Sequence, residues 1–237
     1  MRNVVVTGGT RGIGAACTKL FTENGDRVFA IYSKDDKSAE CIAGKTGAII
    51  IKADISNPQD VQRAVEQIHS WGKIDVLVNN AGIAQIKMFC DLTMDDWDRM
   101  MDVNIKGTFL MTQAVLPDMV HKKNGKFINV SSMWGQTGGS CEVHYSASKA
   151  AVIGFTKALA KELAPSGICV NCVSPGVIDT EMNAELSEDD RCELCEEIPL
   201  GKIGTAEDAA NSIFFLADEK ASYITGQVIA VNGGIVI

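Results

Sequence analysis

The sequence predicts an α/β protein: one doubly wound domain on a seven-stranded parallel sheet, with helices on both faces. Three observations predict it. Short β-rich runs alternate with helix-length amphipathic segments along the whole chain. Several runs (Val4-Val5-Val6, Ile49-Ile50-Ile51, Val76-Leu77-Val78) are apolar throughout, as expected of strands covered on both faces. No internal repeat, linker or low-complexity stretch divides the 237 residues, so a single domain over 1–237 is expected.

The elements follow in order. Strands are expected at 4–7, 27–32, 48–52, 74–78, 125–130, 168–173 and 227–231. Helices are expected between them at 14–24, 38–44, 58–70, 95–122, 145–164 and 206–218. Asn57 is an N-cap followed by Pro58 at the first helical position, and Thr205 is an N-cap with Asp208 three residues on. Gly25, Gly72 and Gly167 stand where helices should end. The rhythm breaks only at about 179–204, an acid-rich stretch that predicts no strand and follows Pro175-Gly176. A long excursion of this kind predicts a lid or binding loop.

Composition narrows the function. The chain has 22 Lys+Arg against 30 Asp+Glu, a net charge of −8, and that field repels nucleic-acid phosphates. No apolar stretch approaches the ~20 residues that span a bilayer, and no secretory leader is recognisable, so a cytoplasmic protein without nucleic-acid or membrane partners is expected. Four of the eight cysteines read C-x2-C-x19-C-x2-C (169, 172, 192, 195), within the window of a four-thiolate zinc site. Residues three apart on a strand point to opposite faces, however. Buried free cysteine is therefore the reading, and no metal is expected.

The first strand runs into Thr7-Gly-Gly-Thr-Arg-Gly-Ile-Gly14 and then a helix. Glycines 8, 12 and 14 permit a tight turn and close backbone approach, so that the helix N-terminus can face a pyrophosphate. No Gly-Lys-Ser/Thr follows, which excludes a triphosphate P-loop. An NAD enzyme usually places a carboxylate at the end of the second strand, where it binds the adenine ribose hydroxyls. Here that end reads Tyr32-Ser33-Lys34, with Asp35 next. A hydroxyl and a cation there, with Arg11 in the glycine turn, suit the extra phosphate of NADP(H).

Four further features converge on strand ends: Asn79-Asn80-Ala81-Gly82 after the fourth strand, Asn104 in a helix, Ser131-Ser132 after the fifth, and Tyr145-Ser-Ala-Ser-Lys149 opening a long helix. Tyr145 and Lys149 at i and i+4 share a helix face. At ~5 Å and an effective dielectric of ~20, a lysine ammonium favours the phenolate by ~3 kcal/mol. That predicts a Tyr145 pKa drawn from ~10 toward neutrality, where a general acid works best.

With these residues in hand, the chain resembles the short-chain dehydrogenase/reductase family over essentially its whole length. TGGTRGIG, NNAG, Asn104, Ser132, YSASK and Pro175-Gly176 carry the resemblance. The runs PGVIDTEM, IPLGKIG and YITGQVIAVNGG are similar to the bacterial 3-oxoacyl-acyl-carrier-protein reductases. The resemblance implies a Rossmann fold and an NADPH-dependent ketoreductase acting on a 3-oxoacyl thioester, carried by acyl carrier protein or coenzyme A. It implies that Tyr145 exchanges the proton, Ser132 binds the carbonyl oxygen, Lys149 holds the nicotinamide ribose, and Asn104 positions a water connecting Lys149 to solvent. The implied cofactor positions are Gly8, Thr10, Arg11, Gly12, Ile13, Gly14, Ser33, Asp54, Ile55, Asn80, Tyr145, Lys149, Ile178 and Thr180. A homotetramer packed through the two long helices is implied as well.

Two features depart from the subfamily. Ser166 stands where an arginine often faces the acidic carrier, leaving Lys122, Lys123 and Lys126 as the local cations. Trp134, just after Ser132, is bulky for a site that admits a linear acyl chain. Two other readings remain at this stage: a dehydrogenase for another small ketone, sugar or steroid alcohol, and a non-catalytic dinucleotide-binding scaffold.

Overall fold

The computed structural model describes residues 1–183 and 186–237. Seven parallel strands run in the order β3-β2-β1-β4-β5-β6-β9: β1 (Asn3–Thr7), β2 (Arg27–Tyr32), β3 (Ile49–Lys52), β4 (Val76–Asn79), β5 (Gly125–Val130), β6 (Ile168–Pro175) and β9 (Val228–Val231). The chain winds outward from β1 to β3, returns to the middle at β4 and then winds the other way. That reversal leaves a crevice beyond the carboxyl ends of β1 and β4, where doubly wound sheets bind their ligands.

The helices cover both faces: α1 (Gly12–Glu23), α2 (Asp36–Thr46), α3 (Pro58–His69), α4 (Met94–Met101), α5 (Gly107–Lys122), α6 (Trp134–Thr137), α7 (Val143–Leu163), α8 (Glu188–Glu197) and α9 (Ala206–Ala217). Alternation along β1 explains its unbroken apolar run. Val5 joins a cluster with Val61, Met111, Met119 and Leu163 from α3, α5 and α7. Val4 and Val6 join Cys17, Phe21, Ile213 and Leu216 from α1 and α9 on the other side. Both faces are buried, so neither parity of the strand is polar.

The caps form where the sequence places them. Asn57 accepts from the N–H groups of Gln59 and Asp60, and Thr205 forms a reciprocal capping box with Asp208. Gly25, Gly72 and Gly167 have positive φ.

Two expectations need correction. The helix expected at 95–122 is not continuous: α4 and α5 are separated by a five-residue π-helical stretch, Asp102–Lys106. The interruption surrounds Asn104, whose side chain docks on the loop at Ile83 and on Ser148 of α7, and a single turn of π-helix often marks such a functional position. The excursion at 179–204 does contain strand. β7 (Ile178–Asp179) and β8 (Gly204–Thr205) pair in parallel and pin its two ends together, with α8 between them; residues 184 and 185 lie outside the described set. The short helix α6 and several 3-10 turns also stand where no element was expected, and the other differences are element ends moved by one or two residues.

Gly14 and Gly44 give a contrast that tests the glycine turn. A Cβ on Gly14 would lie 2.0 Å from the Gly8 carbonyl oxygen, whereas one on the helical Gly44 meets no atom of the described residues within 4 Å. Gly44→Ala should raise stability by about 0.5–1 kcal/mol. Gly14→Ala should abolish dinucleotide binding. Thermal unfolding and fluorescence titration with NADPH measure the two effects.

Candidate active site

A cleft of ≈ 1610 Å³ opens beyond the carboxyl ends of the central strands. Pockets for a single small molecule hold about 300–1,000 Å³, so this one has room for a dinucleotide and a second ligand side by side. Gly8, Thr10, Arg11, Gly12, Ile13, Ser33, Asp54, Ile55, Asn80, Ser132, Tyr145 and Thr180 all line it. A deeper recess adds Lys149 and Ile178. Lys149, Tyr145 and Ser132 are 5%, 8% and 8% exposed, so the polar end of the cleft is shielded from bulk water.

At the glycine end, Gly8 adopts φ +63°, which a side chain would resist. Asn80 does not reach outward. Its side-chain amide donates to the carbonyls of Thr7 and Gly8 at 3.0 and 3.3 Å, and its backbone N–H donates to Thr7 Oγ1, fastening the turn after β1 to the end of β4. Thr180 lies across the turn, with Cγ2 3.3 Å from where a Cβ on Gly12 would be.

The first turn of α1 is uncapped, as are those of α5, α6 and α7. α2, α3, α4, α8 and α9 each have a side-chain N-cap. α1 has no side-chain cap and no acid in its first turn. Its leading N–H groups and the positive end of its dipole are left to the cleft, as a pyrophosphate requires. The residues present therefore fit a dinucleotide.

At the end of β2, Ser33 and Lys34 are exposed. Asp35 caps α2, accepting from Ser38 N at 3.0 Å and Ser38 Oγ at 2.7 Å. Those bonds hold its carboxyl below the ordinary range, and Arg11 stands 3.9 Å away. Asp54 likewise turns its carboxylate onto Ser56, N at 2.9 Å and Oγ at 2.7 Å. Ile55 packs against Gly107 of α5, where a Cβ would lie 2.6 Å from Ile55 Cδ1.

At the chemical end, β5 and α7 are joined twice. Ser131 Oγ donates to the Lys149 carbonyl at 2.8 Å, and Lys149 Nζ donates to the Val130 carbonyl at 3.0 Å. Lys149 Nζ lies 5.8 Å from the centroid of the Tyr145 ring. Gly82 leaves a gap between Asn104 and Lys149: a Cβ there would be 3.2 Å from both Asn104 Oδ1 and Lys149 Nζ. The Asn104 side chain is engaged with protein at both ends. Oδ1 accepts from Ile83 N at 2.8 Å, while Nδ2 donates to Ile83 O at 3.0 Å and Ser148 Oγ at 2.9 Å.

The pKa directions correct the expectation for Tyr145. Burial pushes its phenol up to about 12; the Ser132 hydroxyl works against that, and the Glu142 charge adds to it. Burial also brings Lys149 down to about 8. Desolvation outweighs the lysine's attraction because both groups are withdrawn from water together. Tyr145 is therefore a neutral O–H donor at pH 7.

The lysines expected beside the site are elsewhere. Lys122 pairs with Asp75 at 2.5 Å, and Lys126 is buried with Nζ 3.4 Å from Cys169 Sγ. Both lie near the amino end of β5, whereas Ser132 follows its carboxyl end. At ~3.3 Å per residue, that puts most of the length of the strand between them. Trp134 is only partly buried and lines the cleft with Glu142. The carboxyl of Glu142 is raised by burial, against a hydrogen bond from Trp134. Ser131 and Gly82 were present in the Ser-Ser and NNAG runs but gained their partners only from the docking of α7; nothing in the sequence singles out Glu142.

A glycine turn under an open helix N-terminus, joined by one cleft to two buried hydroxyls and a buried lysine, defines a dinucleotide-dependent oxidoreductase. The family model described as enoyl-(acyl carrier protein) reductase matches residues 8–236. The chain is 44% identical over 236 residues to the 3-oxoacyl-[acyl-carrier-protein] reductase FabG of Aquifex aeolicus, covering 97% of this chain and 95% of that protein. It is 42% identical to the protein of the same name from Thermotoga maritima, covering 98% and 97%, and 39% to that from Staphylococcus epidermidis, covering 98% of each. The chain belongs to the short-chain dehydrogenase/reductase family and is a nicotinamide-dinucleotide-dependent oxidoreductase. Among the described residues, no helix is long and apolar enough to cross a membrane.

Lys149 gives a pH-dependent test. Its folded pKa lies below the unfolded value of 10.5, so the penalty for burying its charge is complete below about pH 8 and fades as pH rises to 10.5. Lys149→Met removes that penalty but leaves the Val130 carbonyl without its donor, so its stability relative to wild type should fall by on the order of 1–3 kcal/mol as pH rises across that window. Thermal unfolding at pH 7 and pH 10 measures it.

Proposed function

We propose that the chain reduces the 3-oxo group of an acyl thioester to the 3-hydroxy form with NADPH. The observation that carries this reading is the pair of buried hydroxyls, Ser132 and Tyr145, lining the same cleft as the glycine turn, with Lys149 behind the phenol. A bound nicotinamide supplies a hydride to the carbonyl carbon. Ser132 and Tyr145 donate hydrogen bonds to the carbonyl oxygen, where negative charge develops, as donors of an oxyanion hole do. Tyr145 then gives up its phenolic proton, which burial keeps in place at neutral pH. Lys149 holds a positive charge under the phenolate that remains. Asn104 is a positioning residue, clamping the loop at Ile83 against Ser148 of α7.

The family description names an enoyl reductase, whereas the full-length relatives are named 3-oxoacyl reductases. The relatives' names support reduction of the carbonyl, and the substrate panel separates the two.

NADP(H) is supported by Arg11, Ser33 and Lys34 at the end of β2, and by the engagement of Asp35 as a helix cap. Gly8, Thr10, Gly12, Ile13 and Gly14 form the pyrophosphate turn. With a dinucleotide bound, Asp54 and Ile55 would hold its adenine end and Ile178 and Thr180 its nicotinamide end, while Asn80 braces the turn. The lysines at the amino end of β5 are remote from this chain's own Ser132. They can serve an acidic carrier only beside the cleft of a neighbouring protomer, in the homotetramer that the resemblance implies.

The deciding experiment follows NADPH oxidation with acetoacetyl-coenzyme A, a carrier-bound 3-oxoacyl substrate, simple ketones and an enoyl thioester. Turnover of the 3-oxoacyl thioesters well above the rest is expected; good activity on simple ketones alone, or on the enoyl thioester, overturns the assignment. Tyr145→Phe should bind NADPH nearly as wild type and lose ~10²-fold or more in turnover. Arg11→Ala should weaken NADPH binding and leave NADH almost unchanged, because only NADPH carries the 2′-phosphate. An equal loss for both cofactors means that Arg11 supports the turn instead.

A further inference from the structure

Helix α7 presents two adjacent stripes. Tyr145 and Lys149 face the cleft. One residue back in each case, His144 and Ser148, also at i and i+4, face the loop that follows β4. Ser148 reaches that loop through Asn104 and Ile83. His144 reaches it directly: Nε2 is 2.9 Å from Gln85 Oε1, and Gln85 Nε2 donates to Asp96 Oδ1 at 3.0 Å. Asp96 Oδ2 accepts from Lys87 Nζ at 2.7 Å and from the Thr93 cap of α4.

The directions along this chain are forced. The Asp96 carboxylate only accepts, so the Gln85 NH2 must face it and the Gln85 carbonyl must face His144. His144 Nε2 therefore carries the hydrogen. The other ring nitrogen, Nδ1, is buried with no hydrogen-bond partner among the described residues, in a residue that is 0% exposed. A second proton there would find no acceptor, and burial lowers the pKa of the ring accordingly. Gln85 itself lines the cleft, and Lys87 N donates to the Cys141 carbonyl just before α7. The relay thus joins the rim of the cleft to the first turn of the helix that holds Tyr145.

We propose that His144, as the neutral Nε2–H form, is a positioning residue that locks the substrate rim at Gln85 to Tyr145, so that rim and proton donor keep one geometry. The proposal rests on the ketoreductase reading for its kinetic arm and is independent of it for its spectroscopic arm.

The test compares His144→Leu, His144→Gln, Gln85→Leu and the double Leu variant. His144→Leu should lower kcat about tenfold, the worth of one hydrogen bond lost from the reacting geometry, with NADPH affinity unchanged. His144→Gln restores a donor at similar reach and should recover most of the loss. Gln85→Leu should match His144→Leu, and the double variant should be no worse than either single one, because all three remove the same link. In ¹⁵N NMR, with His144→Gln identifying the signals, Nε2 should be protonated and Nδ1 bare from pH 6 to pH 8. Additive losses, a His144→Gln enzyme as poor as His144→Leu, or a protonated Nδ1 at pH 7 would overturn the proposal. Should the wild type reduce no carbonyl at all, the ketoreductase reading fails, and the ring tautomer with the same double-mutant cycle in thermal stability still decides the relay.

Discussion

The site depends on two hydrogen bonds that run in opposite directions between one strand end and one helix. Ser131 reaches the Lys149 carbonyl, and the Lys149 ammonium reaches the Val130 carbonyl. Neither group has water to fall back on, so breaking either bond strands a buried polar atom at a cost of about 1–3 kcal/mol. Together they set how far along β5 the second turn of α7 sits. That in turn sets where Ser132, the next residue of the strand end, lies relative to Tyr145. α6 closes the junction: a Cβ on Gly135 would lie 2.7 Å from Ser131 Oγ and 2.8 Å from the Lys149 carbonyl carbon. The glycine lets the short helix rest on this joint without separating it.

From this joint the electrostatics follow. Packing α7 across the strand ends buries Lys149 and Tyr145 together, and burial acts on them in opposite senses, lowering the lysine and raising the phenol. A calculation from spacing alone treats the lysine as a full charge in a partly wet medium and moves the phenol down. The fold reverses the sign. The result suits a proton donor for reduction, since Tyr145 holds its proton at neutral pH. The positive end of α1, left without a cap, does the complementary work at the other end of the cleft.

Other corrections share a cause. Lys122, Lys123 and Lys126 seemed near Ser132 because they are near it in the chain, but a parallel strand lies between them, and it delivers its two ends to opposite edges of the sheet. Lys126 then becomes a buried neighbour of Cys169 on the next strand, in register with it. Asp35, which follows Lys34 in the chain, is taken up by the first turn of α2 as its cap. Asn104 was expected within one continuous helix. Its side chain bonds to Ile83 and Ser148, elements distant in sequence, and the helix gives up its regular register around it.

The sequence by itself determined the layout. Unbroken apolar runs specify buried parallel strands; the glycines at 8, 12 and 14 specify a turn that no side chain can enter; Thr205 with Asp208 and Asn57 before Pro58 specify helix starts, because caps use only neighbours in the chain. The sites at the strand ends were legible for the same reason, since Ser132 and Tyr145-x3-Lys149 are local patterns. Only the tertiary structure decided the protonation of Tyr145, the remoteness of the lysines, the small β7–β8 pair that closes the excursion, and the chain of bonds from His144 to Lys87. Each of these depends on burial or on partners from separate elements. Burial and partnership are properties of packing, and packing exists only once the sheet has been wound.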